Sequence, residues 1–267
     1  MVEPASKKPK LTSEEPVESE EDDLEDEEEE DEEEDDDDDS DDDFGDAHAD
    51  LTFGDDDSSA AVIWMHGLGD SPAGWASQAY KMREQVPHTK WILPCAPENP
   101  VTCNRGVPCT SWMDLTQIPI TTSTKDNGKD LPESIVMIHK LIDDLVADGM
   151  PANRIVLGGF SQGAALALGA SLKYPKRIAG VCVLSGWPPK SLDIPSLLKS
   201  SANKGTPIIV CHGDADTTVF QSCGKLVAKM LKDGGGCVEF HGYANMAHGS
   251  SKEEIEHVVS FLKRVVP

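Results

Sequence analysis

Apolar runs alternate with segments of helical periodicity along residues 60–267. The run from Ala61 to Met65 is uninterrupted and ends in a His-Gly pair, which predicts a buried strand. Between Leu131 and Val146, apolar residues recur at spacings of three and four, as they do on one face of a helix. Strands separated by helices in this way predict an α/β fold with a mostly parallel sheet covered on both faces. Further strands are predicted at 91–93, 154–158, 180–184, 207–211 and 238–240, and further helices at 76–85, 162–172, 219–231 and 253–265.

The alternation lapses between Cys95 and Lys129, where the chain is rich in Pro, Thr, Asn and Gly. Loops of this length inside a compact domain are uncommon and usually carry function. The segment also contains large apolar side chains, which either pin the loop to the body or line a binding surface. They include Trp112, Met113, Leu115 and Ile118.

Charge divides the chain into two parts of different character. Residues 1–60 hold 31 acidic residues and three lysines, whereas residues 61–267 hold 18 acidic and 20 basic residues. The nearly pure Asp and Glu of 18–43 repel one another and offer no apolar surface to bury. We therefore predict a disordered acidic tail over residues 1–58 and one folded domain over 59–267. Acidic tails commonly engage basic proteins, and we expect such partners here.

The remaining composition bears on the compartment. Seven cysteines form neither a disulfide-rich framework nor a paired metal-ligand pattern, which favours a reducing compartment, and no metal site is predicted. The first residues lack the apolar core of a signal peptide, and no stretch of about 20 apolar residues follows. We predict a cytoplasmic protein with at most peripheral membrane contact and no nucleic-acid partner. The basic cluster Lys7-Lys8-Pro9-Lys10 resembles a nuclear-import signal, so the nucleus is a second expected location.

The motif Gly159-Phe160-Ser161-Gln162-Gly163 stands where a predicted strand gives way to a predicted helix. A sharp turn at this place would hold the serine in a strained conformation above the sheet, and only glycine tolerates the crowding on either side. The free N–H groups of the following helix would face a developing oxyanion. Ser161 is therefore the candidate nucleophile.

A serine hydroxyl needs a base that takes its proton. Six of the eight histidines lie in the tail, in predicted helices, in His-Gly turns at strand ends or just before a strand, which leaves His241 and His248 as candidates. His248 is preferred because it follows the last predicted strand and precedes Ser251-x-x-Glu254, a capping box that opens the last helix. The acid should come between serine and histidine in the chain. Asp214 and Asp216 both follow the strand 207–211, and the residues alone separate them only slightly.

Taken together, these residues resemble the acyl-protein thioesterases and the related small carboxylesterases and lysophospholipases of the α/β-hydrolase fold. The resemblance covers residues 60–267. It is carried by His66-Gly67-Leu68-Gly69-Asp70, Ala96-Pro97, Pro100-Val101-Thr102, Ser111-Trp112-Met113-Asp114, the stretch 158–163, Ser185-Gly186-Trp187 and His212-Gly213-x-x-Asp216.

The resemblance implies a catalytic triad of Ser161, Asp216 and His248, and so decides between the two aspartates. It further implies an oxyanion hole built from the backbone N–H groups of Leu68 and Gln162. The long loop lies where relatives line an acyl channel, which implies substrate contacts from its large apolar residues. These are Trp112, Met113, Leu115 and Ile118.

The predicted activity is hydrolysis of acyl thioesters or esters without a cofactor, with S-acylated proteins as the leading substrates. Lysophospholipids and small esters are the alternative substrates. A hypothesis of another class is a scaffold that binds basic partners through its acidic tail. A complete triad argues against the scaffold, because binding alone gives no reason to keep every catalytic part.

Overall fold

The computed structural model describes residues 49–267, and the predicted disorder of the acidic tail lies outside them apart from its last ten residues. A seven-stranded sheet has the spatial order β1-β3-β2-β6-β7-β8-β9. Its strands are β1 (Leu51–Phe53), β2 (Ala60–Met65), β3 (Thr89–Leu93), β6 (Ile155–Phe160), β7 (Gly180–Leu184), β8 (Ile208–Gly213) and β9 (Val238–Tyr243). Only β1 pairs antiparallel, and all other neighbours are parallel. A separate antiparallel hairpin joins β4 (Glu98–Pro100) to β5 (Pro108–Thr110).

Six α-helices accompany the strands in the described part of the chain. They are α1 (Pro72–Gln85), α2 (Leu131–Ala147), α3 (Gln162–Lys173), α4 (Ile194–Ser200), α5 (Gln221–Asp233) and α6 (Lys252–Val265). The crossovers between parallel strands are long enough to contain these helices, as parallel pairing requires. The predicted α/β architecture, a mostly parallel sheet between helices, is confirmed.

The sheet separates two hydrophobic cores because successive side chains of a strand point to opposite faces. In β2, Ala61, Ile63 and Met65 join the core formed with α2, α3, α4 and α5. The alternate residues Val62 and Trp64 join the core formed with α1 and α6. Burial on both faces explains why the central strands read as continuous apolar runs in the sequence.

The structure adds elements that the apolar pattern does not predict. Residues 51–53 form an edge strand, so the folded body begins before the predicted boundary at residue 59. The strand is too short to show a period, and acidic residues follow it at 55–57. Helix α4 and the hairpin β4–β5 were likewise not predicted, since each is shorter than the window over which periodicity is read. Within residues 49–267, no helix is long and apolar enough to cross a bilayer.

Candidate active site

The segment 159–163, called here the nucleophile turn, connects β6 to α3. Ser161 has φ 54° and ψ −116°, a conformation that costs an ordinary residue free energy. Its backbone N–H donates to Leu184 O at 2.8 Å, which ties the turn to the end of β7. The serine therefore stands at the carboxyl edge of the sheet in a backbone conformation that its surroundings impose.

The two glycines of the nucleophile turn are required by a close approach between α3 and β2. A methyl group on Gly163 would lie 2.3 Å from Met65 O and 2.5 Å from His66 O. On Gly159 it would lie 2.7 Å from Met65 O. All three contacts are with backbone oxygens at the end of the central strand β2, and a backbone there cannot shift without disturbing the sheet. The glycine pattern read from the sequence thus has a steric cause.

Ser161, His248 and Asp216 are joined by hydrogen bonds in the structure. His248 Nε2 lies 3.0 Å from Ser161 Oγ, and His248 Nδ1 lies 2.7 Å from Asp216 Oδ2. The carboxylate accepts from Nδ1–H, so Nε2 is left with the lone pair that faces the serine hydroxyl. Ser161 is 8% exposed and Asp216 4% exposed, so the pair of bonds is shielded from water but open at the serine.

Asp216 is an ionised carboxylate held inside the protein. Burial acts to raise its pKa, but hydrogen bonds from His212, His248 and the backbone N–H of Val219 outweigh burial and place the pKa well below its usual range. Its Oδ1 atom accepts from the N–H groups of Thr218 and Val219 at 2.9 and 2.8 Å. The carboxylate is thus available to stabilise a positive charge on His248.

The two aspartates that the sequence left open have different contacts. Asp214 Oδ1 accepts from Asn245 N at 2.7 Å, and the Asp214 backbone N–H donates to Tyr243 O at 2.9 Å. It therefore braces a backbone turn, while Asp216 contacts the histidine. The second candidate base, His241, stacks on His257 with ring centroids 4.3 Å apart and lies on β9 rather than beside the serine.

The histidine loop, defined as residues 244–251, connects β9 to α6 and carries His248. Met246 O accepts from Ala215 N at 3.1 Å, which fastens the loop to the segment that bears Asp216. Ser251 Oγ accepts from Glu254 N at 3.2 Å, which is the first half of the predicted capping box. The Glu254 side chain is fully buried. Burial raises the pKa of this carboxyl to about 8, against the opposing effect of the Ser251 N–H.

Of the two predicted oxyanion donors, Gln162 follows Ser161 directly in the chain and Leu68 lines the same cavity as Ser161. Gln162 is the first residue of α3, so its N–H has no partner within the helix. The Leu68 backbone belongs to the loop after β2, in which Gly69 N donates to Thr110 O at 2.8 Å. Leu68, Gly67 and Ser161 line the same pocket. The two residues come from separate segments, the loop after β2 and the start of α3, and the donation of their N–H groups to an oxyanion stays a prediction.

The Gln162 side chain has a structural role that the sequence did not reveal. Its Oε1 accepts from Trp112 N at 2.7 Å, and its Nε2 donates to Met113 O at 2.7 Å. Nε2 also donates to Ser111 Oγ at 3.1 Å. An amide paired with the backbone on both sides fixes the long loop against the start of α3.

A cavity of about 180 Å³ opens onto Ser161. It is lined mainly by apolar side chains, namely those of Leu68, Leu115, Ile118, Ile120, Phe160, Trp187 and Val219, with His248 beside them. Leu115 and Ile118, for which the resemblance implied substrate contacts, are among the lining residues, and Ile118, 48% exposed, stands at the surface. Ile120, Phe160, Trp187 and Val219 come from separate elements, and no single stretch of sequence groups them.

Trp112 and Met113 do not line this cavity, which corrects the expectation of substrate contacts from them. Their side chains are 0% and 2% exposed and belong to the core that includes α2 and α3. Trp112 Nε1 donates to His66 O at 2.9 Å, and Trp112 O accepts from Ser134 Oγ at 2.6 Å. These residues anchor the long loop to the body.

Comparisons with known proteins identify the family of the chain. Residues 47–266 match the family model of the phospholipases/carboxylesterases. A probable SOBER1-like carboxylesterase of Arabidopsis thaliana is 37% identical over 204 residues, covering 76% of this chain and 78% of that protein. Acyl-protein thioesterase 1 of Neurospora crassa is 37% identical over 215 residues, covering 78% of this chain and 88% of that protein.

Solved structures place the fold in the same group. The crystal structure of Arabidopsis thaliana SOBER1 has a TM-score of 0.74 at 33% identity and covers 78% of this chain and 99% of its own. That of Zea mays acyl-protein thioesterase 2 has a TM-score of 0.72 at 27% identity and covers 82% and 99%. The resemblance read from the sequence is confirmed. The chain is a hydrolase that belongs to the phospholipase/carboxylesterase family of the α/β-hydrolase fold.

Proposed function

We propose that this protein is a serine hydrolase that removes acyl groups from thioesters, with S-acylated proteins as its substrates. The observation that carries the proposal is the continuous series of hydrogen bonds from Asp216 Oδ2 through His248 to Ser161 Oγ, at 2.7 and 3.0 Å. The series ends at a serine with a positive φ, a conformation that is strained for a residue other than glycine. Such an arrangement supports acyl transfer.

Each residue has one task in the proposed reaction. Ser161 Oγ attacks the carbonyl carbon while His248 Nε2 takes the hydroxyl proton, and Asp216 stabilises the imidazolium that results. The N–H groups of Leu68 and Gln162 donate to the oxyanion. His248 then passes its proton to the departing sulfur or oxygen, which leaves an acyl ester on Ser161. A water molecule activated by His248 hydrolyses that ester and restores the serine.

The substrate assignment is supported by the relatives named acyl-protein thioesterase and by the apolar lining of the cavity. An apolar pocket with one polar end suits an acyl chain whose carbonyl meets the serine. Relatives named carboxylesterase favour small esters as the second candidate class, and the family's phospholipase members favour lysophospholipids. We expect an S-palmitoylated peptide to be cleaved faster than either a lysophospholipid or a short ester. A short ester cleaved fastest would replace the first assignment with the second.

Ser161→Ala tests the mechanism. Turnover should fall by about 10⁴- to 10⁶-fold, because members of a triad act as a unit, while the melting temperature changes little. A fluorophosphonate probe should label the wild type and not the variant. Ser250→Ala, which alters an exposed serine of the histidine loop, is the matched control and should keep both activity and labelling. Labelling that persists in Ser161→Ala would remove Ser161 from the mechanism, and a wild type that takes no label would favour the scaffold hypothesis.

A further inference from the structure

Asp216 is contacted by two histidines, of which the proposed reaction uses one. Its Oδ1 atom is occupied by two backbone N–H groups. Its Oδ2 atom lies 2.7 Å from His248 Nδ1 and also 3.3 Å from His212 Nε2. His212 therefore contacts the carboxylate that orients the base, although it does not contact Ser161 or the cavity.

His212 lies in a strand that is paired on both sides. It lies in β8, which is hydrogen-bonded to β7 on one side and to β9 on the other, opposite Gly242 in the register with β9. Its side chain is completely buried. Because the strand and the surrounding core hold the His212 ring in place, the ring in turn restricts the Asp216 side chain that it contacts.

The surroundings of the His212 ring fix its proton on Nε2. This nitrogen lies 2.7 Å from Val219 O, and because a carbonyl oxygen only accepts, Nε2 must carry hydrogen. The same N–H is within 3.3 Å of Asp216 Oδ2, so one donor faces two acceptors. On the opposite side, Nδ1 faces Gly224 of α5, where a methyl group would lie 2.5 Å away. A proton on Nδ1 would find no acceptor there.

We propose that His212 is a positioning residue, which donates from Nε2 to both Asp216 and Val219 O and so holds the carboxylate in the orientation that His248 requires. The proposal rests on the catalytic role proposed for Ser161, Asp216 and His248. The carbonyl of Val219 and the N–H that Asp216 binds belong to the same residue. His212 binds the carbonyl of Val219 and Asp216 binds its N–H, so the two side chains together clamp the 216–219 turn.

A clamp of this kind would act on catalysis rather than on substrate affinity. If the His212 donor is lost, Asp216 can rotate and the Nδ1–H of His248 is less well oriented, which lowers turnover. The carboxylate also keeps more negative charge for His248, so the acid limb of the pH–rate profile should move to higher pH. The neighbouring Cys223 thiol does not titrate in this range, because burial and then the charge of Asp216 raise its pKa to about 11.

Two substitutions at position 212 separate positioning from packing. His212→Leu fills the space without a donor and should lower kcat about 10- to 100-fold with KM little changed, as expected for one hydrogen bond to a charged group. His212→Gln keeps an N–H donor near the position of Nε2 and should recover most of that loss. The acid limb should move in the leucine variant and stay near its wild-type position in the glutamine variant. A folded leucine variant with wild-type kcat and pH profile would overturn the proposal.

Gly224→Ala perturbs the His212 ring from the side of α5, and it tests the proposal even if His212→Leu does not fold. The added methyl group must displace His212, so kcat should fall with KM little changed, while the helix propensity of alanine offsets part of the stability lost to overpacking. Lys225→Ala, on the exposed side of the same helix, is the matched control and should keep wild-type kcat. Wild-type kcat in Gly224→Ala would overturn the proposal, and loss of activity in Ser161→Ala alongside it would show that the proposed reaction still stands.

Discussion

The nucleophile turn and the histidine loop meet at one hydrogen bond but are held in place by different kinds of contact. The turn is shaped by its own short sequence, since two glycines allow α3 to approach the backbone of β2. The histidine loop has no such local constraint. It is fastened by residues distant in sequence, through Asp214 to Asn245 and through Ala215 to Met246. The comparison teaches that the serine is positioned by close steric packing of two glycines against β2, and the histidine by backbone hydrogen bonds to the segment that bears Asp216.

Of three effects expected from this comparison, the largest is a loss of kcat at the contact between His248 and Asp216. Asp216→Asn should lower kcat by about 10⁴-fold, because the amide favours the wrong tautomer of His248 while preserving the shape of the side chain. Asp214→Asn keeps an acceptor for Asn245 N and should cost about tenfold or less. Steady-state kinetics on one thioester substrate checks both. The reverse ranking would show that the loop brace, and not the triad contact, controls the rate.

A smaller effect, on stability, is expected at the end of the histidine loop. The pKa of Glu254 is about 8 in the folded protein against 4.5 for an ordinary glutamate, so the unfolded chain loses this proton at lower pH than the folded one. Between these two values the folded state binds more protons, and the free energy of unfolding falls as pH rises, by at most about 5 kcal/mol. Glu254→Gln has no proton to lose, so its free energy of unfolding should exceed that of the wild type at pH 8 to 9. Near pH 5 the two proteins should have similar free energies of unfolding.

Denaturant unfolding at a series of pH values measures this difference. Glu253→Gln, in the same helical turn but exposed, is the matched control and should follow the wild-type dependence. If the wild type and Glu254→Gln lose stability in parallel as pH rises, another group causes the loss. The histidine loop would then end in a site that is insensitive to pH.

The smallest of the three effects is expected in the nucleophile turn. Gly163→Ala places a methyl group against Met65 O and His66 O, and overpacking against a fixed backbone costs about 1–3 kcal/mol. Gly205→Ala, where the methyl group meets no atom within 4 Å, should cost little and is the control. Thermal or denaturant unfolding compares the two. Equal stability of both variants would show that the nucleophile turn is not set by the approach of α3 to β2.

The same contrast explains which parts of the site the sequence predicts. Ser161 is identified from five adjacent residues, because the strand, turn and helix that position it are consecutive. Asp216 and His248 are separated by the length of α5 and β9. Loop position and chain order favour His248, whereas only the family resemblance decides between Asp214 and Asp216. His212 reads as an ordinary strand-end residue, and nothing in its neighbours indicates a contact with the acid.

The long loop shows what the apolar pattern cannot predict, namely which apolar side chains of an irregular segment enter the core. Trp112 and Met113 are as apolar as Leu115 and Ile118, yet the first pair enters the core and the second pair lines the cavity. Outside a regular element there is no period that tells which side chain points inward. The hydrogen bonds of Gln162 to this segment decide the outcome, and they bridge about 50 residues.

The two edges of the sheet have a consequence for how the protein behaves at high concentration. An open edge strand offers unpaired backbone groups to another chain and invites aggregation when it is long, flat and apolar. Here one edge is the three-residue β1, followed by three consecutive aspartates. The other edge, β9, carries Glu239 paired with Arg264, and His241 stacked on His257. A second molecule that tried to extend the sheet would have to bury these charged and aromatic groups, so the folded body resists edge-to-edge association.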